Sequence, residues 1–243
     1  MQATYFAANG WLLDLAGLKI LVDPWLTGSL CFGGQRWFFE GRLSHDWPVP
    51  AVDLLLLSQG LEDHAHPETL ALLPKDLPVV ASPTAAKRVR QLGFTQVTAI
   101  APGQATTVGS LEIRATKGAP VPQVENGYRL TDTGSGFSCY YEPHGYVDPA
   151  TKELGPVDVA ISPIQDMALP LVGPIVQGRR TAPGLLRDLK PRYLLPTATG
   201  GDVIYSGLLD RLLRVRGSAE ELRAIAPATQ ILEPVAGQPL ELV

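Results

Sequence analysis

The first 23 residues of the chain contain three short, mostly apolar runs separated by turn-forming residues. The runs occupy residues 4–8, 11–15 and 18–23, and the turns are Asn9-Gly10 and Ala16-Gly17. Short apolar runs bounded by turn residues are typical of strands, and Asn-Gly supplies the positive φ of a tight hairpin. The pattern therefore predicts a three-stranded β-meander at the start of the chain.

The next segments have other patterns. Residues 24–50 are rich in aromatic side chains and show neither helical nor strand periodicity, so we expect a long loop of the kind that often carries function. Residues 52–58 form a continuous apolar run of strand length, which predicts a strand buried on both faces. Pro67 then begins a short helix over 68–73, because proline is favoured at the first helical position.

The rest of the chain alternates between groups of strands and strand–helix units. Ser82 is placed to cap a helix that begins at Pro83 and ends at Gly93. The further predicted strands are 79–81, 96–100, 105–108, 111–116, 127–131, 137–141, 157–162 and 193–196, and the further helices are 183–189, 206–213 and 218–225. This order predicts sheets covered by helices, a layered α/β fold. No linker divides the chain, so we expect residues 1–243 to form one domain.

The charge balance argues against two classes of partner. Twenty Lys and Arg residues against 24 Asp and Glu give a net charge of −4, so the chain offers no general attraction for nucleic acid. No apolar stretch approaches the ~18 residues that a membrane span needs, and the start of the chain lacks the features of a signal peptide. We expect a cytoplasmic protein that acts on a small-molecule substrate, with no nucleic-acid partner and no membrane span. The sequence leaves open whether it forms a homo-oligomer.

Three of the four histidines follow predicted strands, where loops can bring side chains together. Asp63, His64 and His66 lie just after the continuous apolar strand, and His144 follows a later strand. Neutral imidazole and carboxylate are the usual ligands of zinc, manganese and iron. An Asp-His dipeptide alone is a weak motif, but its position after a buried strand indicates a metal site.

Several blocks of the chain together resemble the metallo-β-lactamase superfamily, and within it the branch of the L-ascorbate-6-phosphate lactonases and related phosphodiesterases. The matching blocks are GLKILVDPWL at 17–26, the strand–loop–helix at 54–70, GYRL at 127–130 leading to 137–145, DVAISP at 158–163 and LKPRYLLPT at 189–197. They cover most of the chain in the family's order. The resemblance implies a four-layer αββα sandwich, which agrees with the layered fold predicted above.

The metal-binding motif departs from the family pattern. Where the family has His-x-His-x-Asp-His after the buried strand, this chain has Gln59, Leu61, Asp63 and His64. Two further places where the resemblance implies a histidine have none: Gly118 or Ala119, and Ala198 or Thr199. His144 takes the place of the family's bridging aspartate. An ordinary dinuclear zinc centre is therefore not expected.

We predict instead a single metal ion, zinc or alternatively manganese or iron, held by Asp63, His64 and His144. Three protein ligands and a water are typical of an open catalytic zinc site, which lowers the pKa of the water to about 7. Asp63 and His64 are also the predicted catalytic residues. Glu142 and His66 are candidates for a substitute ligand or for a residue that supports the ligands.

Each of these residues also has a structural alternative. Asp63 could cap the helix that follows it, and His66, which precedes a proline, is more often a capping or surface residue. Glu142 could pair with an arginine. His45, in the aromatic loop, is either a substrate contact or an exposed residue. Gln59 either contacts substrate or fills the space left by a lost ligand.

Two functions from different classes fit the sequence. The first is a metal-dependent hydrolase of a small ester, lactone or phosphodiester. The second is a metal-free relative with the same fold that acts as a binding or regulatory module. The Asp63-His64 pair and His144 favour the hydrolase, whereas Gln59, Leu61 and Ala198 favour the binding module.

Overall fold

The computed structural model of the protein describes residues 1–31, 34–120, 124–170, 173–199 and 201–243. Its strands are β1 Gln2–Tyr5, β2 Trp11–Leu15, β3 Leu18–Val22, β4 Ser29–Leu30, β5 Glu40–Leu43, β6 Leu54–Leu57, β7 Val79–Ala81, β8 Val97–Ala99, β9 Ala105–Val108, β10 Leu111–Lys117, β11 Asn126–Asp132, β12 Ser138–Tyr141, β13 Val159–Ser162, β14 Asp166–Leu169, β15 Gly173–Gln177, β16 Tyr193–Pro196, β17 Val203–Ser206, β18 Arg214–Arg216, β19 Gln230–Ile231 and β20 Pro239–Glu241. Its helices are α1 Pro67–Ala71, α2 Pro83–Gln91, a 3₁₀ helix Pro149–Leu154, α3 Gly178–Leu189, α4 Leu208–Leu212 and α5 Ala219–Ile225. None of these helices is long and apolar enough to cross a membrane.

Two seven-stranded sheets form the centre of the molecule. The first has the order β20-β1-β2-β3-β6-β7-β8, in which β1, β2 and β3 are antiparallel and β3, β6, β7 and β8 are parallel. The second has the order β19-β16-β13-β12-β11-β10-β9, with β12, β13, β16 and β19 parallel. Parallel strands need crossover helices, and α1, α2, α3 and α5 lie in such connections.

Apolar side chains form three cores, one between the two sheets and one on the outer face of each sheet. The inner faces of the two sheets share one core, which includes Trp11, Leu56, Tyr128 and Ile161. A second core lies between the first sheet and helices α1 and α2, and a third lies between the second sheet and helices α3 and α5. The layers therefore run helix, sheet, sheet, helix, which confirms the predicted αββα sandwich.

Local signals predicted most of the central elements. The four leucines of β6 are all buried, as expected for a strand covered on both faces. Helix α2 begins at Pro83 after Ser82, whose hydroxyl accepts the backbone N–H of Ala85 at 3.3 Å, as the cap was predicted to do. The meander is confirmed with small shifts in its strand ends, and Ala16 and Gly17 both take positive φ in its second turn.

Two predictions about the first 50 residues are wrong. The first turn of the meander is wider than an Asn-Gly hairpin: the Phe6 N–H donates to the Gly10 carbonyl, and Ala8 rather than Asn9 takes the positive φ. The aromatic segment 24–50 also contains regular structure, because β4 and β5 join β17 in a separate three-stranded sheet. Phe32, one of the aromatic residues noted there, lies outside the described residues.

Candidate metal site

The candidate site lies at one edge of the sandwich, where the ends of strands from both sheets meet. The backbone N–H of Asn126, the first residue of β11, donates to the carbonyl of Ser58, which follows β6, at 3.0 Å. The Tyr128 hydroxyl donates to the Leu57 carbonyl at 2.8 Å. These bonds join the two sheets directly, so the loop after β6 is held against the start of β11.

His64 is fully buried in the loop after β6 and is oriented by a buried carboxylate. The backbone N–H groups of His64 and Ala65 donate to the Leu61 carbonyl at 3.1 and 2.7 Å, which folds the loop into a tight turn. The His64 Nδ1 atom lies 2.8 Å from Asp23 Oδ2. Nδ1 donates its proton to this carboxylate, so Nε2 is the ring nitrogen that faces Asp63.

Asp23 follows β3 and is the centre of a buried hydrogen-bond network. Its Oδ1 accepts the Ser58 backbone N–H at 2.8 Å, and its Oδ2 accepts the Ser58 hydroxyl and the Tyr141 hydroxyl, the latter at 2.7 Å. The backbone of Asp23 has a φ of +40°, in the left-handed region that aspartate tolerates better than most residues. The network fixes the His64 ring from three elements of both sheets.

His144, the third residue after β12, has a similar arrangement. Both carboxylate oxygens of the fully buried Glu125 lie 2.9 Å from His144 Nδ1. The backbone N–H of His144 donates to Glu142 Oε1 at 3.1 Å, and the other oxygen of Glu142 is buried without a hydrogen-bond partner. Each histidine thus has its Nδ1 against a buried carboxylate, the arrangement that commonly presents Nε2 to a metal.

The structure brings the three predicted ligands together. One donor atom each of Asp63, His64 and His144 lies within 4.8 Å of the others, and the two imidazole ring centres are 5.0 Å apart. His64 Nε2 is 3.3 Å from Asp63 Oδ2 and 3.8 Å from a Glu125 oxygen, but makes no hydrogen bond. Asp63 Oδ1 is likewise buried and unpartnered. Buried polar atoms without hydrogen-bond partners in one cluster are suited to share a cation.

The charges of the cluster shift its pKa values strongly. Burial lowers the pKa of His64, but the carboxylates of Asp63 and Asp23 outweigh it and raise that pKa well above its ordinary value. Burial raises the pKa of Asp63, yet the nearby imidazoles outweigh it and lower it to about 2. Burial and then the charge of Glu125 raise the pKa of Glu142 to about 8. Asp63 therefore stays ionised at neutral pH, whereas Glu142 holds a proton when no cation is near.

The other candidates lie in different settings. His66 is buried as the N-cap of α1, where it accepts the Thr69 backbone N–H, and its Nε2 is 3.3 Å from the Ser29 carbonyl. His66 therefore has the helix-capping role that was the alternative to a role at the metal site. His45 is half exposed, 3.3 Å from an Asp202 oxygen and stacked edge-on against Trp47. Gln59 is buried directly after the Ser58 of the Asp23 network, and its Oε1 has no hydrogen-bond partner.

Sequence reasoning missed two residues of this site. Asp23 lies within the matched 17–26 block but was given no role. Glu125 was not noted, although an acidic residue next to Asn126 at the start of a buried strand is a signal that could have found it. The Glu125 backbone pairs with Gly118 and Ala119, and the Ala119 N–H donates to its carboxylate at 3.3 Å. Glu125 thus lies beside the place where the resemblance implied a missing imidazole.

The position of His144 also depends on Gly145. This glycine has a φ of +73°, and a Cβ there would lie 2.6 Å from the backbone nitrogen of Gly178. We expect Gly145→Ala to lower the free energy of unfolding by about 1–3 kcal/mol, because the backbone around His144 and the start of α3 must separate. Urea denaturation measures this change. Gly136→Ala is the matched control, since Gly136 has a similar φ of +78° and open space around it; equal losses in the two variants would contradict the expectation.

Comparisons with known proteins agree with this fold. Three solved structures with similar folds are an isothiocyanate hydrolase from Delia radicum gut bacteria, the metallo hydrolase Igni18 from Ignicoccus hospitalis and the diiron β-hydroxylase CmlA from Streptomyces venezuelae. The isothiocyanate hydrolase is 21% identical to this chain with a TM-score of 0.71, and the match covers 99% of this chain and 98% of the hydrolase chain. Igni18 is 16% identical with a TM-score of 0.67, and the match covers 98% of this chain and 97% of the Igni18 chain. CmlA is 17% identical with a TM-score of 0.66, and the match covers 99% of this chain and 54% of the CmlA chain. At these identities the likeness shows the fold.

A search of curated protein sequences finds no match. The family model described as the beta-lactamase superfamily domain matches residues 2–198, which is most of the chain. The chain therefore belongs to the β-lactamase superfamily domain family.

Proposed function

We propose that the protein is a metal-dependent hydrolase of a small ester, lactone or phosphodiester, with one metal ion held by Asp63, His64 and His144. The observation that carries the proposal is the orientation of His64. Asp23 occupies its Nδ1, and Nε2 is buried without a hydrogen bond, within reach of Asp63 and His144. The contact of Nε2 with Asp63 Oδ2 at 3.3 Å lacks hydrogen-bond geometry, and a buried imidazole nitrogen without a hydrogen bond is costly, so a ligand for it is expected.

The donor set fits a divalent metal. It contains one carboxylate and two imidazoles, each imidazole with a buried carboxylate on its far nitrogen. Such partners fix the ring and make the free nitrogen a better donor. A metal with three protein ligands and an open position supplies Lewis acidity, which polarises a carbonyl or phosphoryl oxygen and makes water more acidic.

Other residues of the chain have defined roles in this proposal. Asp63 is ionised at neutral pH and supplies a permanent negative charge at the site. Burial and the charge of Asp63 raise the pKa of Tyr205 in β17 to about 12, so its hydroxyl stays protonated and can donate to a substrate oxygen. Tyr205 belongs to the small sheet of β17, β5 and β4, and the charge of Asp63 acts on its hydroxyl. We assign Tyr205 to substrate orientation.

The proposal also includes the domain organisation, the location, the metal and the substrate of the protein. We infer that the whole chain, residues 1–243, works as one domain on a small molecule in the cytoplasm, and that zinc, manganese or iron is the metal. The blocks that resemble the L-ascorbate-6-phosphate lactonases favour a lactone or phosphate-bearing ester as substrate. The similar structures named as hydrolases support hydrolysis as the reaction class.

Metal analysis and hydrolysis assays together test this function. The protein is purified without chelator, its metal content is measured, and an aryl acetate, a γ-lactone and an aryl phosphodiester are offered as substrates. We expect stoichiometric metal and hydrolysis of at least one substrate, both lost in His144→Ala. A wild-type protein that binds no metal even when zinc, manganese or iron is added would overturn the proposal.

That contrary result would favour the metal-free binding module. The observation on its side is that Gln59 and Leu61 stand where the family has metal-binding histidines, and that Ala198 is engaged through its backbone with the Ala8 carbonyl at 2.9 Å. In a protein of that kind, the Glu125–His144 ion pair would be a structural contact that never opens for a cation. The same metal analysis therefore separates the two functions.

A further inference from the structure

A separate cavity of about 760 Å³ lies on the second sheet, at the end of its parallel strands opposite to the candidate metal site. Its lining includes Ser138, the first residue of β12, and the segment 156–158 before β13, whereas His144 follows the last residue of β12. Helix α3 and the segments 190–192 and 225–229 also contribute to the lining. A cavity of this size is in the range that holds a small molecule. Its described lining residues include no proposed metal ligand, so it is a candidate binding site separate from the metal site.

The charged groups that line this cavity are mostly cationic. They are four cations and one carboxylate: Arg129, Arg187, Lys190, Arg192 and Asp158. Asp158 already accepts the Ser138 backbone N–H at 2.7 Å and the Ser138 hydroxyl at 3.2 Å. Arg187 pairs with Asp188, but among the described residues no side-chain carboxylate forms an ion pair with any of the other three cations. The cavity therefore presents unpaired positive charge in a chain whose net charge is −4.

Lys190 has an unfavourable backbone conformation in the lining of the cavity. It ends α3 with a φ of +45° and a ψ of +48°, and its backbone N–H donates to the Leu186 carbonyl at 2.9 Å. Glycine or asparagine is usual at such a left-handed helix end, because the Cβ of other residues comes too close to the backbone there. A strained residue that lines a cavity and has no ion-pair partner points to a function for its ammonium group.

Apolar side chains form much of the remaining lining. They come from α3, from the end of α5 and from the loops beside them, and include Pro156, Pro183, Leu186, Pro191, Ile225 and Pro227. Ile225 is 63% exposed, so an apolar group in the cavity would cover it. Guanidinium groups bind carboxylate and phosphate oxygens through paired N–H donors. A molecule that matches this lining therefore has an anionic group and an apolar body.

We propose that this cavity binds a small molecule that carries a carboxylate or phosphate group on an apolar body. Arg129, Lys190 and Arg192 contact the anionic group, and Leu186 and Ile225 contact the apolar part. The binding site goes beyond the proposed hydrolase function and does not depend on it, because the cavity and the metal site lie at opposite ends of the same strands.

Isothermal titration calorimetry of the full chain with octylphosphonate and with octanoate tests this inference. We expect one molecule of either anion to bind per chain, because the cations donate to phosphoryl and carboxylate oxygens alike. 1-Octanol lacks the anionic group and inorganic phosphate lacks the apolar body, so each is expected to bind at least about 10-fold more weakly than octylphosphonate. Binding of only one of the two anions supports the inference and identifies the anionic group. Tight binding of 1-octanol, equal to that of octylphosphonate, or no binding of either anion would overturn it.

Lys190→Gly separates a role in binding from a role in the fold. Glycine adopts the left-handed conformation without strain, so we expect the variant to unfold at no lower urea concentration than the wild type. Its affinity for octylphosphonate is expected to fall at least about 10-fold, because a charged donor is lost. Arg192→Gln is expected to show a similar loss. Unchanged affinity in both variants would mean that Lys190 serves only the dipole of α3, and would overturn the inference.

Two further variants serve as controls for the place where the anion binds. Lys87→Gln removes an exposed charge on α2, which covers the first sheet, and is expected to keep the wild-type affinity. An equal loss in Lys87→Gln and Lys190→Gly would show attraction by the overall charge and would overturn the inference. His64→Ala is also expected to keep the wild-type affinity. Loss of binding in His64→Ala would place the anion at the proposed metal site, which would overturn the inference and leave the proposed function intact.

Discussion

Replacing Asp23 with alanine is expected to lower the free energy of unfolding by about 3–5 kcal/mol, the range for a buried charge network that loses one partner. The Ser58 backbone N–H loses its carboxylate acceptor, and so does His64 Nδ1, which keeps only the Ser58 hydroxyl at 3.0 Å. The Tyr141 hydroxyl keeps only the Asn9 carbonyl at 3.1 Å. Alanine also tolerates the positive φ at this position less well than aspartate does. Urea denaturation followed by tryptophan fluorescence measures the loss.

Asp53→Ala is the matched control for this prediction. Asp53 also accepts a backbone N–H, that of Lys19 at 2.9 Å, but it is exposed and water can replace it. We expect its replacement to cost less than about 1 kcal/mol. Similar losses in the two variants would mean that the buried network around Asp23 contributes little to the fold.

The second large effect is expected from His64→Ala, which removes the imidazole with the free Nε2. Disturbing only a supporting partner of a metal ligand typically costs 10–100-fold in affinity, so loss of the ligand itself should weaken metal binding by at least about 100-fold. Competition with a chromophoric chelator measures the dissociation constant of the bound zinc or manganese. The fold should persist, because Asp23 keeps its contacts with Ser58 and Tyr141.

His66→Ala provides the comparison, since it removes an imidazole only two residues away. His66 caps α1, so its loss is expected to reduce stability by about 0.5–2 kcal/mol without changing the metal affinity. Equal weakening of metal binding in both variants would show that the whole loop, rather than the Nε2 of His64, determines affinity. Unchanged metal binding in His64→Ala would remove this residue from the site.

Much of the central fold follows from local sequence signals. The buried leucines of β6 and the Ser82-Pro83 start of α2 are local, and each predicted its element correctly. The strands β4, β5 and β17 were not predicted, because two to four residues give no periodicity and because β5 pairs with β17 about 160 positions away. The wide turn at Ala8 was missed because its shape depends on contacts to the rest of the molecule, which an Asn-Gly pair does not encode.

The candidate site likewise contains residues that the sequence predicted and residues that it did not. Asp63, His64 and His144 could be proposed from sequence because each follows a predicted strand, and strand ends of one sandwich edge converge. Asp23 and Glu125 could not be assigned, because what makes them important is full burial beside an imidazole, and burial of a charged residue is decided by tertiary packing. A lone carboxylate in a sequence is most often a solvated one.

Anomalous diffraction from crystals grown with Mn²⁺ or Zn²⁺ tests the central claim most directly. We predict a peak at ~2.0–2.2 Å from a carboxylate oxygen of Asp63, from Nε2 of His64 and from a ring nitrogen of His144. The His64 Nδ1 contact with Asp23 should persist in the loaded crystal. A site that contains only water at hydrogen-bond distance, with Asp63 still paired to His64, would contradict the account.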